Sequence, residues 1–129
     1  MITKRRDIAT LQDIRQFIEN NYTRDIPVAS ICKEFGFNRT KLQEGFNQLY
    51  DITVHAFISQ MRMDKARALL RETDEPIKFI AIECGYKKLS SFTRVFTRWH
   101  RMSPTRYRVV AQDNEKLSEK INGSVNQSC

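Results

Sequence analysis

Two stretches of this 129-residue chain repeat one another. Pro27 and Pro76, Ile31 and Ile80, Glu34 and Glu83, Gly36 and Gly85, and Phe37 and Tyr86 are each 49 residues apart. From there the offset is 50, through Leu42 and Phe92, Phe46 and Phe96, Leu49 and Trp99, and Thr53 and Ser103. Each copy therefore runs from a proline through a short apolar-periodic segment and a Gly-aromatic turn into a second periodic segment. A short helix, a glycine-bearing turn and a second helix make a helix-turn-helix, and two in register confine the chain far more tightly than one.

Apolar spacing predicts helices throughout and no sustained strand alternation. Thr10 is placed to cap a first helix carrying Leu11, Ile14, Phe17, Ile18 and Tyr22. Pro27 opens a second with Val28, Ile31, Cys32 and Phe35 inward, stopped by Gly36. Asn38 caps a third, with Leu42, Phe46 and Leu49 on one face. A longer helix from Thr53 to about Arg71 follows, then one from Pro76 to Gly85. A sixth, over 88–100, turns Phe92, Phe96 and Trp99 inward, and Ser103-Pro104 starts a seventh. The expected fold is all-α, with seven helices in two helix-turn-helix subdomains (8–52 and 74–110) joined by a connecting helix (53–73). A polar, mobile tail is expected over 111–129.

Charge points to a partner. The net charge is +7 at pH 7. Residues 76–110 carry Lys78, Lys87, Lys88, Arg94, Arg98, Arg101, Arg106 and Arg108 against Glu83 alone, while the rest of the chain nearly balances. Like charges so concentrated repel one another in a compact fold, so the segment reads as a surface for a polyanion. No apolar run approaches the ~18 residues of a membrane span. The start, Met1-Ile2-Thr3-Lys4-Arg5-Arg6-Asp7, is basic but leads into an amphipathic segment, unlike a signal peptide. Cys32, Cys84 and Cys129 are odd in number and lack C-x-x-C spacing, which argues against a disulfide framework or zinc site and suits a reducing cytosol. His55 and His100 have no nucleophile at helical spacing, and no phosphate loop or metal-pair motif is present, so the chain reads as no enzyme and as needing no cofactor.

A connecting helix of about 19 residues spans roughly 28 Å at 1.5 Å per residue, against about 34 Å between successive major-groove faces of B-DNA. Opposite its core face the third helix offers Thr40, Gln43, Glu44 and Asn47, and the sixth offers Ser90, Thr93, Arg94 and Thr97. Gln pairs bidentately with adenine, Arg with guanine, and a carboxylate accepts from cytosine N4. Glu44 near phosphates is repulsive unless it reads cytosine or pairs with Lys41 or Lys33. Leu89 stands three and seven residues before Phe92 and Phe96, so packing competes with contact to a thymine methyl. Phosphate contacts are expected from Lys87, Lys88, Arg98, Arg101, Arg106 and Arg108, with Arg39 and Lys41 as the lesser counterpart. A helical protein-interaction module with a basic face is the rival reading.

The chain resembles the DNA-binding domain of AraC/XylS-type transcription regulators, particularly the stand-alone members. The resemblance rests on Ile80-Ala81, Gly85-Tyr86, Phe92-Thr93-Arg94-Val95-Phe96 and Ser103-Pro104-Thr105-Arg106-Tyr107-Arg108, with Arg62, Ala66 and Leu69-Leu70 in the connecting helix. It implies seven helices, binding of asymmetric double-stranded DNA as a monomer, often with bending, and contact with RNA polymerase. It places base reading on Thr40, Gln43 and Glu44, and on Leu89, Ser90, Ser91 and Arg94. The family's usual glycine after each reading helix is Asp51 and Arg101 here, each costing on the order of 1 kcal/mol if left-handed. No ligand-binding domain accompanies the motif, as in a regulator controlled by abundance or a piece of a larger one.

Overall fold

A computed structural model describes residues 4–127, with side chains to 121. Met1–Thr3 and Cys129, which figure in the leader and cysteine arguments, lie outside it. The described residues form seven helices: α1 (Arg5–Asn21), α2 (Val28–Phe35), α3 (Arg39–Tyr50), α4 (Val54–Glu72), α5 (Ile77–Glu83), α6 (Leu89–His100) and α7 (Pro104–Gln127). The chain divides into two compact units, 1–62 and 63–129, and the division falls inside α4.

The first unit closes around Leu11, Ile14, Ile18, Ile31, Leu42, Phe46, Val54 and Phe57, all buried. Its helix ends follow local chemistry. Gly36 ends α2 at φ 71°, a left-handed position, and its amide donates to the Cys32 carbonyl. Asn38 Oδ1 accepts from the Lys41 amide at 2.7 Å, satisfying one of the amides that the first turn of α3 leaves open. Thr53 Oγ1 does the same for Ala56 at 3.1 Å at the start of α4. Thr10 does not cap α1: the helix begins five residues earlier, and Thr10 Oγ1 donates back to the Arg6 carbonyl at 3.0 Å from within it.

The second unit closes around Met63, Ala66, Leu70, Ile80, Ala81, Cys84, Phe92 and Phe96. Here the duplication extends beyond the helix-turn-helix. Met63, Ala66 and Leu70 repeat the spacing of Leu11, Ile14 and Ile18 at an offset of 52, the α1–α2 connection being longer than the α4–α5 one. Phe57 packs on Phe46 at 5.6 Å between ring centroids, and Tyr107, 50 residues on, packs on Phe96 at 5.5 Å. Arg62 donates to the carbonyls of Tyr22 and Arg24 past the end of α1 (2.7 and 2.9 Å). Its counterpart Gln112 donates to the carbonyls of Leu70 and Thr73 at the end of α4 (3.4 and 3.3 Å). Helix α4 is thus the fourth helix of the first unit and the first helix of the second. Arg62→Ala is expected to lower stability by about 1–3 kcal/mol in urea unfolding, because it strips two carbonyls of a charged donor.

Two inward assignments fail. Leu49 and Trp99 are exposed, Trp99 by 41%. They occupy matching places in the last turns of α3 and α6, where the periodic stripe outruns the helices that cover it. The tail expected from 111 is also different, since α7 continues to Gln127. Glu115, Lys116, Leu117, Glu119 and Lys120 are good helix formers, and a polar composition reports contact with water rather than backbone shape.

Helices α3 and α6 both end on a left-handed side-chain-bearing residue, Asp51 at φ 56° and Arg101 at φ 61°, the only such residues among those described. Each amide closes back onto its helix, Asp51 to the Asn47 carbonyl and Arg101 to the Thr97 carbonyl. Asp51→Gly is expected to stabilise the chain by about 1 kcal/mol, read as a higher urea midpoint at unchanged slope.

Candidate nucleic-acid interface

Helix α3 buries Leu42, Gly45 and Phe46, which leaves Thr40, Gln43, Glu44 and Asn47 exposed along its opposite side. Helix α6 buries Phe92 and Phe96. Its outer side carries exposed Ser90, Arg94 and Thr97, with Ser91 and Thr93 half-buried. Leu89, which packing and solvent could equally have claimed, is 47% exposed on this outer side. Leu89, Ser90, Thr93, Arg94, Thr97 and Arg98 line an open concavity of about 760 Å³. Lys4, Asp7, Asn38, Arg39, Thr40, Lys41 and Glu44 line one of about 650 Å³ at the start of α3.

The cations divide into two groups. Arg39, Lys87, Lys88, Arg98, Arg101 and Arg106 are exposed. Lys41 is committed elsewhere: its Nζ lies 3.1 Å from Asp7 Oδ1 and 4.7 Å from the centre of the Phe37 ring. Asp7, on α1, is the one buried charged residue among those described. With α1 expected to begin at Thr10, nothing in the spacing singles Asp7 out. Arg108 is half-buried. Its Nε donates to the Leu70 carbonyl at 3.1 Å and its Nη2 is buried. The charge it keeps there bears on Glu75, whose carboxyl is raised above the ordinary range by desolvation and then by the neighbouring Glu83, with Arg108 opposing. Lys41 and Arg108, both expected at phosphates, thus already have partners within the chain, an acid for one and a backbone carbonyl for the other. Among the described residues no cation pairs with Glu44, so neither Lys41 nor Lys33 neutralises it.

The last turn of α6 holds His100. His100 stacks on Phe96 at 4.1 Å between ring centroids, with Nδ1 3.2 Å from the Phe96 carbonyl. Burial holds its pKa below the usual 6.5, and the hydrogen bond to Phe96 opposes the shift. A histidine depressed on folding binds its proton more readily in the unfolded chain. Its contribution is therefore complete above about pH 6.5 and is lost as the pH falls below it. His100→Gln is expected to flatten the decline in urea midpoint between about pH 7 and 5. His55 is exposed and Cys84 is fully buried. None of the described helices is long and apolar enough to cross a membrane.

Known proteins share this arrangement. A helix-turn-helix domain family matches residues 31–109, from within α2 into α7. The transcriptional activator RhaR of Mannheimia succiniciproducens is 28% identical over 102 residues, covering 79% of this chain and 37% of its own. This chain spans only about a third of the length of the curated relatives it matches. Among solved structures, the C-terminal domain of AraT, a response regulator from Geobacillus stearothermophilus, superposes with a TM-score of 0.75. It is 26% identical, with 78% of this chain and 84% of that one covered. The DNA-binding domain of AdpA, solved with a target DNA, shares the fold at a TM-score of 0.75 and 18% identity, over 81% and 94% of the two chains.

Proposed function

Since this chain belongs to the AraC-type helix-turn-helix family of transcription regulators, we propose that it recognises a double-stranded DNA site by sequence through α3 and α6. The observation that carries this reading is the equivalence of those helices. They occupy the same place in two copies of one unit, each with its apolar side in a core and a hydrogen-bonding side outward. In this reading Gln43, Glu44 and Asn47 on α3, with Thr40, meet base edges in one major-groove segment. Ser90, Ser91, Arg94 and Leu89 on α6 meet them in the next. Gln43 suits adenine and Arg94 suits guanine. Glu44, unpaired and exposed, suits a cytosine N4 donor, which makes the carboxylate a discriminating group rather than a liability. Arg39, Lys87, Lys88, Arg98, Arg101 and Arg106 hold the phosphates. The protein acts in the cytoplasm as a monomer on an asymmetric site and works with RNA polymerase there, either alone or as the DNA-binding part of a longer regulator.

The experiment is a titration of the chain against duplexes selected from a random library, repeated with two variants. Arg94→Ala is expected to lose about 1–3 kcal/mol on the selected site and to relax preference at one base pair. Arg106→Ala is expected to weaken selected and scrambled duplexes alike and to flatten the salt slope by about one. Equal behaviour of the two variants on scrambled DNA would remove the division of roles. Binding without any salt slope would favour the protein-interaction module instead. Inserting five base pairs between the two halves of the site, which turns one half to the far side of the duplex, should abolish the contribution of one half.

A further inference from the structure

The two reading helices carry different chemistry at matching stations. At intervals of four along α3 stand Arg39, Gln43 and Asn47; at the equivalent places along α6 stand Leu89, Thr93 and Thr97. The first set is planar and hydrogen-bonding: two carboxamides that can read bases, and a guanidinium at the station where Arg39 holds a phosphate. The second offers an isobutyl group followed by two threonine methyls. Leu89 is not a core residue displaced outward, because Phe92 and Phe96 already fill the core side of α6 at 0% exposure while Leu89 is 47% exposed. Leu89, Thr93 and Thr97 line the same open concavity, in which Arg94 and Arg98 supply the charge. At the start of α3 the corresponding concavity is lined by Lys4, Asp7, Asn38, Arg39, Thr40, Lys41 and Glu44, where Thr40 brings a single methyl and no side chain is an aliphatic of the size of Leu89.

Major-groove base edges display donors and acceptors together with one apolar group, the C5-methyl of thymine. A line of methyl-bearing side chains on a reading helix has a counterpart there and nowhere else on the edges. We infer that α6 recognises thymine methyls flanking a guanine held by Arg94, whereas α3 recognises its segment by hydrogen bonds to purines, adenine opposite Gln43 and Asn47. This inference rests on the DNA-reading function proposed above and names the bases of each half. The two halves of the site then differ in kind: the α6 half is thymine-rich and sensitive to methyl loss, and the α3 half is not.

Deoxyuridine tests it, because it pairs as thymine does and lacks only the C5-methyl. Duplexes enriched from a random library by the full chain are resynthesised with each thymine replaced in turn. The α6 half is identified as the segment where Arg94→Ala relaxes preference. Each replacement facing α6 is expected to weaken binding by about four-fold, the value of one buried methyl-sized group, and replacements in the other half by little. In Leu89→Ala, whose side chain is exposed in the parent, one of the sensitive positions should become indifferent while the salt slope stays unchanged. Enriched duplexes that tolerate deoxyuridine everywhere would overturn the assignment to α6 and leave DNA reading standing. A library in which no sequence is enriched over random duplex would overturn both.

Discussion

Phe96→Ala is expected to destabilise the chain by about 3–5 kcal/mol and to abolish sequence-specific binding with it. Phe96 is fully buried and lies within 5.8 Å, ring centroid to ring centroid, of Phe92, His100 and Tyr107. Truncation removes a side chain whose ring is paired with all three. Those neighbours come from α6 itself and from α7, so a cavity there loosens the helix that carries Arg94 at the level of its seat. A domain of this size holds only about 5–15 kcal/mol of net stability, and the loss is therefore a large part of the whole. Urea unfolding gives the magnitude. Comparison with Arg94→Ala separates the causes, since that variant should lose specificity at an unchanged midpoint. Phe46→Ala, which removes contacts to Tyr50 and Phe57 at 4.9 and 5.6 Å in the first unit, is expected to cost a similar amount. A parent-like midpoint for Phe96→Ala would mean that α6 is held by something other than this aromatic cluster.

The helix-turn-helix pairs were legible in the sequence because their signals are local. Pro27, Gly36 and Asn38 mark their elements within a few residues, and the left-handed Gly36 and the Asn38 cap follow directly from side-chain chemistry. The double role of α4 was not legible, because the offset shifts to 52 there and Met63, Ala66 and Leu70 share size and spacing with Leu11, Ile14 and Ile18 but not identity. Periodicity also overreached at helix ends. Leu49 and Trp99 keep the helical spacing of their buried neighbours, yet spacing cannot say where the covering helix stops. On the candidate interface the residue types were readable and their directions were not. Lys41 and Arg108 count as cations in any sequence tally, but one is turned to Asp7 and the other to the Leu70 carbonyl. Leu89 is the reverse case, an apolar residue whose outward position only the exposure of its side chain decides.

If the intrachain partners of Lys41 and Arg108 persist on DNA, the salt dependence follows from the other cations. Six exposed basic side chains remain for phosphates, Arg39, Lys87, Lys88, Arg98, Arg101 and Arg106. With about 0.9 counterion released per contact, the slope of log K against log salt should lie near −5, and affinity should fall about 10³-fold between 50 and 200 mM salt. All eight expected cations acting together would instead give a slope near −7. Asp7 makes the count adjustable. Its carboxylate lies 3.1 Å from Lys41 Nζ, and losing that charge releases the ammonium at the start of α3, beside Arg39. Asp7→Asn is accordingly expected to steepen the slope by about one and to raise affinity for scrambled DNA more than for the selected site. The ratio of specific to non-specific binding then falls although every affinity rises. An unchanged slope in Asp7→Asn would show that Lys41 already reaches a phosphate in spite of its acid. In that case the ion pair orients the lysine for contact instead of withholding it.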